Sequence, residues 1–399
     1  MDCFEWLSHV TKRLYVSTLT LRALRSLTGL ALVSSVFCVW ANPATGVTPT
    51  DIRIGMVNAQ TGPAAALGQG MLAGAQAVFK EVNAKGGVHG RKIWLQVADD
   101  AYEPEQTVEQ TLKMIQEEQV LALFGYVGTP TVNAVLPLLR DLDVPLVGVF
   151  SGALSMRRPI VRQVFNARAS YDDETEVLVA QLLKVGMKKI AVIYQNDGFG
   201  ISVLAGVDRA LKKRGLAVSS TGSFQRNTVA IRMALSTTLE EQPDAVLLAG
   251  PYVPVAAFIK QAQALRFYPK FATVSFVGTE SLLTRLEGSG QGMLISQVVP
   301  FPGDNDLAIT RDCRNMLKQH ANETLGFVNF EGCISARLLV RALEQAGPQL
   351  TRQALVSSLE SMRSVDLGGL AITLSADDHQ ATDHVFLTEI VDGKIVKVR

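Results

Sequence analysis

The chain has 399 residues, 48% of them hydrophobic and 19% charged, with a net charge of +1. That is globular composition, so a disordered or fibrous chain is excluded, and the near-zero charge shows none of the strong basic excess expected of a nucleic-acid binder. The length predicts about two or three domains.

The first predicted element is an export signal. Arg22 and Arg25 precede an apolar run over residues 26–41, shorter than the roughly 20 residues that span a bilayer. Val39 and Ala41 place small residues ahead of a cut before Asn42. Residues 1–41 therefore read as a secretory signal, with a retained membrane anchor as the alternative. Phe37 before Cys38 is too bulky for a lipoprotein signal. Residues 42–50, rich in Pro, Thr and Gly, read as a linker.

A repeated strand–helix beat follows. Strands are predicted at 52–57, 92–99, 120–126 and 144–150, with helices at 71–85, 104–118 and 130–143 between them. The beat restarts with strands at 188–197, 216–224, 244–250 and 270–276, separated by helices at 199–215, 228–242 and 253–266. Residues 165–173 form the first crossing between the two sets. A strand at 292–299, helices at 307–320, 329–346 and 351–359, and a β-rich tail complete the chain. Such alternation predicts α/β lobes, each a parallel sheet flanked by helices.

Enzyme motifs fail on spacing. "AKGGVHGRKI" places Gly86 and Gly90 one residue too close for a phosphate loop, Arg91 precedes Lys92, and the stretch runs from helix to strand rather than the reverse. The glycines read as a helix C-cap. In "GQGMLAG", Gly68, Gly70 and Gly74 miss the dinucleotide spacing and read as small residues packing the first helix onto the sheet. "DDHQATDH" (377–384) has no common metal-ligand spacing and reads as a solvated loop. Ser151 lacks a nucleophile elbow. Neither a metal nor a cofactor is expected. Cys313 and Cys333 read as buried free thiols, with a disulfide the alternative in an exported chain.

Ligands of parallel α/β sheets bind beyond the carboxyl ends of the strands. In the first lobe those loops are small and hydroxyl-bearing. Thr129, before Pro130 at a helix start, suits an anion, although it also reads as a plain N-cap. The second lobe offers the rings of Phe199 and Tyr252 and the carboxylate of Glu280, where lobe core and a first-turn helix charge are the alternatives. An anion cradle facing rings and a carboxylate suits a small zwitterion.

The stretches "IRIGMVNAQTGPAAALGQG", "DVPLVGVFSGA", "FNARASYDDE" and "VIYQNDGFG" resemble the Leu/Ile/Val-binding type of periplasmic substrate-binding proteins of ABC transporters. The resemblance implies the type I periplasmic binding fold, two lobes joined by a multi-strand hinge, and no catalysis. It implies lobe 1 at 51–168 plus 299–367 and lobe 2 at 169–298 plus 368–399. It further implies a periplasmic monomer that carries an amino acid or related small carboxylate to an inner-membrane permease and its ATPase. A ligand-sensing receptor for a membrane signalling protein is the alternative.

By the same resemblance, Thr129 takes the ligand carboxylate, and Phe150, Ser151 and Gly152 supply backbone and hydroxyl contacts. Phe199 closes over the ligand, Tyr252 matches a family tyrosine after the next strand, and Glu280 pairs with the ligand's ammonium group. Leu67 stands where an aromatic residue is frequent, and Phe150 is bulky where a small residue is usual. Arg168 and Tyr171 lie at the hinge within reach of the cleft.

Overall fold

A computed structural model describes residues 45–398. The signal read in residues 1–41 lies outside them. From Gly46 onward the linker stretch is tied to the sheet: Val47 bridges to Ile52, and the Arg53 N–H donates to the Gly46 carbonyl at 2.8 Å.

The first sheet holds β1 (Asp51–Asn58), β2 (Lys92–Asp99), β3 (Ala122–Phe124), β4 (Leu146–Val147) and β5 (Val164–Phe165), all parallel in the order β2-β1-β3-β4-β5. Helices α1 (Ala65–Ala84), α2 (Pro104–Gln116) and α3 (Thr129–Asp141) connect them. β3 and β4 are shorter than their apolar runs suggest. Gly125 (φ 65°) and Gly148 (φ 72°) leave the extended region and end both strands early. The freed residues become the loops that carry Thr129 and Ser151.

The second sheet begins with β6 (Ile190–Gln195), β7 (Ser220–Phe224), β8 (Ala245–Ala249), β9 (Lys270–Thr273) and β10 (Leu294–Gln297), again parallel. Helix α4 (Tyr171–Lys184) leads into it, and α5 (Gly198–Lys212), α6 (Arg232–Glu241), α7 (Tyr252–Ala264) and α8 (Thr279–Leu286) link its strands. A capping box fixes the start of α4: Asp173 N–H donates to the Ser170 hydroxyl, and Ser170 N–H donates to the Asp173 carboxylate.

After β10 the chain returns. Helices α9 (Ala308–His320) and α10 (Phe327–Ala346) pack on α1, and α11 (Arg352–Glu360) packs on α10. A ribbon of β11 (Val365–Asp366) and β12 (Ala371–Ile372) follows. The chain then crosses back and adds antiparallel β13 (Phe386–Val391) and β14 (Lys394–Lys397) to the second sheet beyond β10. It therefore passes between the sheets after β5, after β10 and after β12.

Three readings of the sequence change here. First, α1 starts at Ala65 rather than Met71, and its glycines serve more than the sheet. A Cβ on Gly74 would sit 2.0 Å from the Asn329 carbonyl oxygen of α10, and one on Gly68 would sit 1.8 Å from the Ala59 carbonyl oxygen. Second, Cys313 and Cys333 form a disulfide rather than free thiols. Packing of α9 and α10 on α1 brings their Cα atoms to 6.0 Å, within bridging range. Third, His379 is buried instead of solvated. It stacks on Phe165 with ring centroids 4.1 Å apart, and its Nδ1 lies 3.0 Å from the Val164 carbonyl oxygen. The reason is pairing between passes: Asn166 N–H donates to the His379 carbonyl and Ala381 N–H to the Asn166 carbonyl, both at 2.8 Å.

One apolar cluster runs from Val127 and Phe150 of the first sheet's loops through Phe199 and Phe276 into the second sheet. The seam between the sheets is thus packed, with its polar groups embedded in it.

Candidate functional site

The carboxyl edge of the first sheet brings Thr129 to Ser151. Gly128 (φ 103°) precedes α3, and a Cβ there would meet the Tyr102 ring at 2.2 Å, so only glycine fits. The hydroxyl of Thr129 does not cap its helix. It lies 2.8 Å from the hydroxyl of Ser151, and both residues are fully buried.

Arg157 holds the Ser151 loop from behind. Its guanidinium donates to the Ser151 carbonyl at 3.1 and 3.2 Å, to the Ala153 carbonyl at 3.0 Å and to the Arg168 carbonyl at 3.2 Å. Its Nε donates to Gln380 Oε1 at 2.8 Å, tying the loop to the pass after β12. Burial, reinforced by the neighbouring Arg168 charge, pushes the Arg157 pKa down to about 10. Gly152 has no room for a side chain, since a Cβ would meet the Tyr171 ring at 2.5 Å. Its carbonyl accepts from Tyr171 N–H at 2.7 Å.

Rings from both sheets close the space. Phe276 lies 5.4 Å from Phe150, 4.5 Å from Phe199 and 6.1 Å from Tyr102, centroid to centroid, and Tyr171 lies 5.3 Å from Phe199. The Asp197 carboxylate accepts from Phe199 N–H at 3.0 Å and so starts α5 with that ring facing the seam.

Behind the rings sits a buried charge cluster. Arg168 donates to Glu174 at 2.6 Å and to Glu331 at 3.4 Å, and its guanidinium lies 5.3 Å from the Phe150 centroid and 5.7 Å from that of Tyr171. Glu174 also accepts from Ser275 N–H at 2.8 Å and the Ser296 hydroxyl at 2.6 Å. Burial pushes the Glu331 carboxyl up to about 7, with the Arg168 charge acting against it. Burial also raises the Tyr171 hydroxyl to about 12, so it stays protonated. That hydroxyl and the Arg168 Nε are buried with no hydrogen-bond partner among the described residues.

Leu67 and Tyr252, both buried, meet at Gly278 in the same apolar seam, two residues before Glu280. The Tyr252 hydroxyl accepts from Ala66 N–H at 3.2 Å, and Leu67 packs on Gly278, where a Cβ would come within 2.6 Å of its side chain. Glu280 is exposed along one edge and accepts from Phe327 N–H of α10 at 2.8 Å. Although the residue is exposed, its carboxyl is turned into the protein beside Gly326, and burial there raises its pKa while the Phe327 N–H acts in the opposite direction.

Sequence reasoning missed Tyr102, Phe276 and Arg157. Their positions depend on how loops distant in the chain meet, which no local pattern encodes. The Ser151 hydroxyl has Thr129 and Ala153 N–H as its partners, and no base among them to take its proton. The arrangement can bind a small anion and bury it. An open groove of about 710 Å³ lies elsewhere, lined by residues of α1, α9 and α10, and touches none of these residues.

Two parallel α/β lobes, crossed repeatedly by the chain and closed over a hydroxyl pair, define a bilobal small-molecule binding protein. The chain belongs to the periplasmic binding protein family, whose model matches residues 51–394. It is 27% identical over 274 residues to Leu/Ile/Val-binding protein homolog 7 of Brucella suis, covering 66% of this chain and 67% of that one. A possible leucine/isoleucine/valine-binding protein from Rhodopirellula baltica superposes with a TM-score of 0.85 at 33% identity, covering 90% of this chain and 98% of that one. A substrate-binding periplasmic protein from Ralstonia solanacearum gives 0.82 at 28% identity, covering 87% of this chain and 100% of that one.

Proposed function

We propose that this protein is the soluble, periplasmic binding component of an ABC transporter. It captures a small carboxylate, an amino acid or a close relative of one, and delivers it to an inner-membrane permease driven by an ATPase. The lobes are residues 51–168 plus 299–367 and 169–298 plus 368–399, and residues 1–41 direct export. The protein acts as a monomer and carries out no chemistry on its ligand.

The observation that carries this reading is the buried hydroxyl pair of Thr129 and Ser151 at the carboxyl edge of a parallel sheet, facing rings from the opposite lobe. Thr129, Ser151 and Gly152 hold the carboxylate. Phe150, Tyr171 and Phe199 wall the ligand body, and Leu67, Tyr252 and Glu280 close the seam. The names of the Brucella and Rhodopirellula relatives support a ligand of this class.

Thermal-shift screening against amino acids and organic acids tests the reading. Stabilisation by at least one small carboxylate, and none by nucleotides or sugars, is the expected result. A panel in which no carboxylate raises the melting temperature contradicts it.

A further inference from the structure

We propose that Tyr252 and Glu280 form a clasp between the lobes. Each caps a helix of the opposite lobe, and together they favour the closed seam without needing a ligand. The clasp holds whatever the ligand class is.

Helices α1 and α10 pack on each other and cluster with β1 and β3 of the first sheet. Both start with no cap of their own. Ala64, before α1, has no polar side chain, and Gly326, before α10, has no side chain at all. The first amides of a helix find no acceptor within it. In α1, Ala65 and Leu67 N–H donate to the Gly62 and Ala64 carbonyls of their own loop, at 3.2 and 3.0 Å. Ala66 N–H, between them, donates instead to the hydroxyl of Tyr252, the first residue of α7, at 3.2 Å. Phe327 N–H, the first of α10, donates to Glu280 Oε1, from the first turn of α8, at 2.8 Å. Helices α7 and α8 link strands of the second sheet. One lobe thus supplies the acceptors that two helices of the other lack.

Bare backbone makes room for both contacts. A Cβ on Gly326 would lie 2.7 Å from Glu280 Oε1. One on Gly278 would lie 2.6 Å from the Leu67 side chain of α1 and 3.3 Å from the Tyr252 ring. Arg285 of α8 lies over that ring, 5.4 Å from its centroid, and steadies it. The Glu280 carboxylate also meets the positive end of a helix of 20 residues, where an anion is favoured. Its Oε1 is spent on α10, so the acid that the resemblance assigns to a ligand ammonium group acts here on closure.

Hydrogen–deuterium exchange tests the clasp, on protein stripped of small molecules by unfolding and refolding with the disulfide intact. One variant is Tyr252→Phe, which removes one hydroxyl. The other is Gly326→Ala, whose extended backbone (φ −120°) accepts a methyl group that displaces the Glu280 carboxylate. The amides of β1 and β6 check that the fold is intact. The expected result is that each variant speeds exchange at both Ala66 and Phe327 by at least about tenfold. A cap acting on its own helix alone would move one amide and leave the other. Acceleration confined to the altered cap, or smaller than that at either amide, overturns the clasp. No ligand enters the measurement, so its failure leaves the carboxylate reading standing, and failure of the thermal-shift panel leaves the clasp standing.

Discussion

The hydroxyl oxygens of Thr129 and Ser151 lie 2.8 Å apart, buried, and come from loops that follow neighbouring strands. Neither group is spent on its own helix or turn. They form a preset pair of donors, held in place by Gly128 on one side and Arg157 on the other. Replacing Thr129 by Val keeps the branched shape and removes the hydroxyl, and Ser151→Ala does the same for its partner. Each variant is expected to weaken carboxylate binding by about 1.5–3 kcal/mol, the scale of one bond to a charged group, with the melting temperature of the empty protein little changed. Calorimetry checks it. Because the two hydroxyls contact each other, the double variant should cost less than the sum.

A polar latch joins the loops after β2 of the first sheet and β7 of the second. Arg226 donates to Glu103 at 2.6 Å, Asn227 donates to Glu103 at 2.8 Å and to the Ala101 carbonyl at 3.2 Å, and Gln195 donates to the Tyr102 hydroxyl at 3.1 Å. Arg226 and Glu103 are partly exposed, so their coupling is worth about 0.5–1 kcal/mol. Glu103→Gln and Arg226→Ala should each speed ligand release by a few-fold with little change in the association rate. Stopped-flow measurement on the single and double variants reads this directly. Additive effects would show that the pair is not coupled.

Asp100 gives the protein a pH dependence. Burial pushes its carboxyl from 3.8 up to about 6, even though Tyr102 N–H and the Thr107 hydroxyl donate to it. A carboxyl with a raised folded pKa favours the native state only while protonated. Its contribution is therefore full below the unfolded value and is lost as pH rises through about 6. Glu331, pushed up to about 7, acts with the same sign. Asp100→Asn should remove part of the loss between about pH 4 and pH 7, by up to roughly 3 kcal/mol. Urea unfolding at both ends of that range checks it. A variant with the wild-type slope would show that Asp100 is not the source.

The disulfide joins α9 to α10 across 20 residues of sequence. Its loss frees that loop in the unfolded chain, so Cys313→Ser with Cys333→Ser should cost about 3 kcal/mol. Ligand affinity should be little affected, because both cysteines lie in an apolar cluster separate from the one that holds Phe150, Phe199 and Phe276. Chemical denaturation and calorimetry on the same variant separate the two effects.

Much of this was legible in the sequence, for identifiable reasons. Alternating strands and helices marked two parallel sheets, and the rule that ligands sit beyond strand ends singled out the loops of Thr129 and Ser151. Helix-to-strand order around Gly86 and Gly90 disposed of a phosphate site. What stayed hidden depends on tertiary placement. Arg157 looks like one more surface cation in "MRRP", yet it is buried against four carbonyl contacts and Gln380. Phe276 looks like the end of a strand and becomes the hub of the ring cluster. Asp99 and Asp100 look like a strand end bordering the cleft. Asp99 instead accepts from Gln60 and Ala101 N–H groups at 2.8 and 2.9 Å, and Asp100 shapes the loop that carries Tyr102 and Glu103. The thiols of Cys313 and Cys333 could not be paired from spacing, because their distance is set by α1, which packs against both helices.

Mass spectrometry of the small molecules released when the natively purified protein is denatured tests the central claim most directly. The account predicts a small carboxylate in near-stoichiometric amount from the wild type, and its loss from the Thr129→Val, Ser151→Ala double variant. A nucleotide or sugar in its place, or the same carboxylate retained by the folded double variant, would contradict it.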